Sequence, residues 1–64
     1  MSFTFEFSFC LLEGKQWVAQ QWVTRVSGLR DRPNYSAREC AERIAYARFV
    51  HQFPGSLGVV IRVI

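Results

Sequence analysis

The chain has 64 residues and a formal net charge of +3; half of it is hydrophobic and 16% is aromatic. That aromatic content excludes a disordered chain, and the lack of any run of about 18 uncharged apolar residues excludes a transmembrane helix. Two cysteines and one histidine are too few for a disulfide scaffold or a zinc site.

The expectation is one domain over residues 1–64, with both thiols reduced in a cytoplasmic setting. Met1–Leu12 lacks the basic start of a secretory leader and contains Glu6. Six Phe and two Trp are more than one thin layer readily hides, so self-association as a homodimer is expected.

Phe3, Phe5, Phe7 and Phe9 alternate with Thr4, Glu6, Ser8 and Cys10. That period of two is the mark of a half-buried strand, which Leu11 and Leu12 extend. Gly14-Lys15 suits a hairpin tip. Residues 16–26 carry two competing periods. As a helix, Ala19, Trp22, Val23 and Val26 share a face; as a strand, Val18, Trp22 and Val26 do. The Trp, Val and Thr content favours the strand. With Gly14-Lys15 at the tip, Leu11 opposes Val18, Phe7 opposes Trp22 and Phe3 opposes Val26, so the bulky side chains share one face.

Residues 27–35 are rich in turn formers and read as a loop, with room for a short extra strand near Val26–Arg30. Ser36 to Glu39 is a capping box that starts a helix. Its expected apolar stripe is Ala37, Cys40, Ala41, Ile44 and Ala47, with Arg38, Glu39, Glu42, Arg43 and Tyr46 opposite. Glu39 and Arg43 are spaced as an ion pair, and His51 suits the negative helix end. Pro54-Gly55 ends the helix. Residues 58–64 form a strand, apolar on both faces, that reads as central or interfacial.

The fold class is therefore two-layer α+β, in the order β-β-α-β. An antiparallel sheet of three or four strands carries the helix on its Phe face, with the third strand expected beside the first, through a right-handed crossover if it runs parallel to a neighbour. The other face holds Leu12, Trp17, Val23, Val60 and Ile64, the candidate dimer or partner interface; the homodimer is expected to form through this face or through an edge strand.

The residues offer no catalytic set. His51 with Cys10 or Cys40 is the only nucleophile pairing, and Cys40 falls on the expected buried stripe. Glu39 and Glu42 neighbour arginines and read as solvated pairs rather than an acid–base dyad. Gly55 to Gly58 matches no phosphate loop and reads as a turn. No enzyme activity, cofactor, metal or small-molecule substrate is expected, and no membrane association.

Seven of the eight basic residues are Arg. Arg30, Arg32 and Tyr35, before the helix, and Arg38 and Arg43, on it, are the candidate contacts for a protein or nucleoprotein partner. Nucleic acid is the alternative target, through a basic surface running from Arg30 to Arg48; a structural subunit whose apolar faces serve only self-assembly is the other alternative.

Glu13-Gly14, Trp17-Val18-Ala19, Val26-Ser27-Gly28 and Ser36-x-x-Glu39-Cys40-Ala41 resemble HicB-type antitoxins, whose order is strand–strand–strand–helix–strand. The family's Pro-Asp-Leu-Pro-Gly turn has no counterpart here. This resemblance implies a regulatory antitoxin module. In size, hairpin–helix–strand layout and lack of catalytic chemistry, the chain is also similar to small phage-encoded anti-CRISPR proteins. That likeness implies an inhibitor that binds and blocks, and it carries over no residue.

Overall fold

The computed structural model describes residues 1–64. β1 (Ser2–Glu13) and β2 (Gln16–Ser27) form a long antiparallel hairpin, α1 (Ala37–Gln52) follows, and β3 (Leu57–Val63) closes the sheet. The strand order is β2-β1-β3, and both pairings are antiparallel. Residues 16–26 are strand, and the hairpin register places Leu11 opposite Val18, Phe7 opposite Trp22 and Phe3 opposite Val26. At the tip Gly14 has φ +64°, whereas Lys15 does not have positive φ. A type II′ turn needs that combination, with glycine first.

β3 lies beside β1, as expected, but at the edge of the sheet rather than at its centre. β1 takes the centre, because its four phenylalanines need cover from both neighbours and from the helix. Ser8 pairs with Val60 but Cys10 pairs with Leu57, so Gly58 and Val59 together oppose Phe9. Gly58, with φ +63°, supplies the left-handed residue that such a bulge uses. No separate strand forms near Val26–Arg30. β2 runs to Ser27, and beyond it Met1 and Leu29 exchange backbone hydrogen bonds.

The core is Phe5, Phe7, Phe9, Val26, Ala41, Ala45 and Phe49, with Trp22, Phe53 and Ile61 packed against it. Phe49 stacks on Phe7 at 4.5 Å and meets the edge of Phe9 at 4.8 Å. The buried helix positions are Ala37, Ala41, Ala45 and Phe49, one residue in every four. This corrects the expected stripe: Ile44 and Ala47 are exposed and Cys40 is only half-buried. The reason is steric. A sheet paved with Phe rings leaves room for methyl groups under the helix, and the one large ring, Phe49, packs against Phe7, Phe9 and Trp22.

α1 lies over β1 and β2. Phe49 and Phe53, at its end, reach Phe9 and Trp22. β3 pairs with β1 no further than Cys10. The hairpin beyond Cys10 and Ala19 is thus a two-stranded arm that projects past both the helix and β3. The arm explains the elongated shape, 47 × 18 × 15 Å.

Candidate binding surfaces

The helix start is built from two side chains. Ser36 Oγ accepts from the Glu39 N–H at 3.2 Å. The Glu39 carboxylate does not reach back to Ser36; instead Asp31 Oδ1 accepts from the Ala37 N–H at 2.8 Å. Asp31 is thereby committed to an orphan donor of the first turn. Arg32 and Tyr35 exchange backbone hydrogen bonds of 3.0 and 3.3 Å, which folds the loop into a tight turn around Pro33-Asn34. Replacing Asp31 with Ala removes this cap and is expected to cost about 1 kcal/mol. In a thermal melt that corresponds to a fall of about 4–8 °C.

The arginines divide into two groups. Arg62 Nε donates to Glu6 Oε1 at 2.8 Å, the only ion pair in the chain. Arg48 donates to the Arg25 carbonyl at 2.9 Å and to Thr24 Oγ1 at 3.4 Å, and Arg25 donates to Ser2 Oγ at 3.3 Å. Arg30, Arg32, Arg38 and Arg43 make no side-chain hydrogen bond or ion pair within the chain. The spaced pair Glu39 and Arg43 does not close.

These residues do not form one continuous patch. Arg30 and Arg32 line a hollow beside Cys40, between the loop and the helix, with Tyr35 exposed on the same turn. Arg38 is exposed on the first helical turn. Arg43 lies with Glu39, Glu42 and Tyr46 in a groove between α1 and Ile61 of β3, where two carboxylates offset its charge. Arg48, exposed near the end of the helix, is drawn to the β2 side by its bonds to Arg25 and Thr24. The role of Asp31 was hidden in the sequence: its charge reads as diluting the arginines, while its carboxylate is spent on the helix.

Comparison with protein-family models, curated proteins and solved structures finds no match. No helix is long and apolar enough to cross a membrane.

The open sheet face carries Leu12, Trp17, Val23, Val60 and Ile64, which are 49–65% exposed. Leu12 and Trp17 sit directly opposite each other on the arm. Val23 opposes Glu6, and Val60 opposes Ser8. The Glu6–Arg62 ion pair crosses this face, so the five residues are not contiguous. The face is a mixed surface rather than one greasy plate.

Proposed function

We propose that this chain is a small non-catalytic binding protein that blocks or regulates a protein or nucleoprotein partner. The carrying observation is the turn bearing Arg30 and Arg32. Its one carboxylate, Asp31, is consumed by the helix cap, and its backbone is pinned by the Arg32–Tyr35 bridge. Two guanidinium groups without internal partners stand on a preorganised loop, with Tyr35 exposed on the same turn. Arginine forks pair with carboxylates and phosphates in two-pronged fashion, and a loop held in place loses less entropy on binding. In this reading the chain acts by occupying a surface, as small phage-encoded inhibitors of host defence do.

A nucleic-acid target is the second reading, favoured by the +3 net charge and the arginines without partners. The two separate in a titration of mixed-sequence single-stranded and duplex nucleic acid at about 50 and about 200 mM salt. Binding that falls steeply with salt selects nucleic acid. No binding at the lower salt selects a protein partner, to be recovered by affinity capture. Against either target, the variant combining Arg30→Ala, Arg32→Ala and Tyr35→Ala is expected to bind at least tenfold more weakly, about 1.4 kcal/mol, with an unchanged melting temperature. Undiminished affinity would overturn the assignment of this loop.

A further inference from the structure

The outer edge of β2 has no cover. β1 lies on its other side, and the strand order ends with it. Thr4, opposite Arg25, turns its carbonyl toward β3, where it accepts from the Ile64 N–H. In an antiparallel ladder, backbone direction alternates along the strand. Arg25, Val23, Gln21, Ala19 and Trp17 therefore point their N–H and C=O groups outward, away from β1. Natural sheets blunt such edges with proline, lysine, bulges or charge. β2 has no proline or lysine and pairs with β1 without a bulge, and from Gln16 to Thr24 it is uncharged. One device is present, at one end only: Arg48 occupies the outward carbonyl of Arg25. The free edge is therefore residues 17–23.

We propose that this edge pairs with the same edge of a second copy of the chain, antiparallel about Gln20. The two sheets then join as one of six strands, with both helices on the same face. The sequence of the edge is its own complement in this register. Trp17 opposes Val23 of the partner subunit, and Val18 opposes Trp22 of the partner subunit. Each match repeats by symmetry, as an isologous interface requires. Aromatic and β-branched residues form the favourable cross-strand pairs. Trp17 and Val23, half-exposed in the single chain, gain cover on the open face.

Moving the axis one residue, to Gln21, sets Gln20 against Trp22 and demands the Arg25 carbonyl that Arg48 already holds. The Gln20 register ends at Gln16 and Thr24, before that carbonyl. It also lays each projecting arm beside the half of the other sheet that carries its helix. The proposal is independent of the arginine loop, which lies off this edge.

The test is a charge exchange read by sedimentation or light scattering at micromolar concentration. Ala19 and Gln21 are both exposed and, in this register, face each other across the axis. Their neighbours on β1 are Cys10 and Ser8, so charge is tolerated in the single chain. The native protein is expected to run as a dimer. Combining Ala19→Lys with Gln21→Lys opposes like charges and is expected to weaken association about tenfold or more, with the circular dichroism spectrum retained. Combining Ala19→Lys with Gln21→Glu opposes unlike charges and is expected to restore the dimer. A monomeric native protein would overturn the proposal, as would a double-lysine variant that stays dimeric.

Discussion

The Phe49→Ala variant is expected to lose about 3–5 kcal/mol of folding stability. A chain of this size has roughly 3–10 kcal/mol in total, at about 0.05–0.15 kcal/mol per residue, so the variant loses most of its margin. Phe49 is buried, and its ring meets Phe7, Phe9, Trp22 and Phe53. It is the only large buried side chain that the helix contributes. Removing it leaves a cavity that the helix cannot fill, because its other buried side chains are methyl groups. Urea denaturation followed by near-ultraviolet circular dichroism reads this directly. Val50→Ala, next along the chain and half-exposed, serves as the control and should stay within about 0.5 kcal/mol. Equal losses in the two variants would mean that the helix face has been misassigned.

Ala45→Leu is expected to destabilise by about 1–3 kcal/mol through overpacking. Ala45 is fully buried beneath the helix, in the line of small residues that sets the helix-to-sheet spacing. A leucine there must lift the helix or displace Phe rings that already interdigitate. Ala47→Leu adds the same atoms at an exposed position and should change stability by about 0.5 kcal/mol or less. Thermal melts of the pair separate the observed stripe from the one expected from apolar spacing. If Ala47→Leu is the costly member, Ala47 faces the sheet.

The two strands of the hairpin were legible because their signals agree. Alternating phenylalanines, a glycine at the turn and bulky partners at matched distances all specify one register. The helix was legible in position but not in orientation. Ile44 outweighs alanine on any hydropathy count, yet the sheet beneath α1 is already filled with aromatic rings. That steric fact exists only once the hairpin and the helix are packed together. The neighbour of β3 was legible, since it lies beside β1 as expected, but its rank in the sheet was not. Apolar residues on both its faces left a central and an interfacial place open, and the centre belongs to the strand with the most bulk to hide. Among the candidate contacts, the sequence could point to arginines but not to their state. Whether a guanidinium is paired, as in Arg62, tied to a strand edge, as in Arg48, or left without a partner, as in Arg30 and Arg32, depends on how distant segments approach.

The projecting arm also grades the molecule's resistance to local opening. From Phe5 to Cys10, β1 is held on both sides, and its phenylalanines lie under α1. From Leu11 to Glu13 it has one neighbouring strand; Leu11 still packs against the core, whereas Leu12 and Glu13 are exposed. A lone two-stranded ribbon is at best marginally stable in water, so the arm is expected to fray before the rest of the sheet opens. Amide hydrogen exchange is then expected to show protection rising along β1, from little at the Gly14 turn to the global value at Phe7. Any partner that grips the arm must also supply the ordering that its two strands lack.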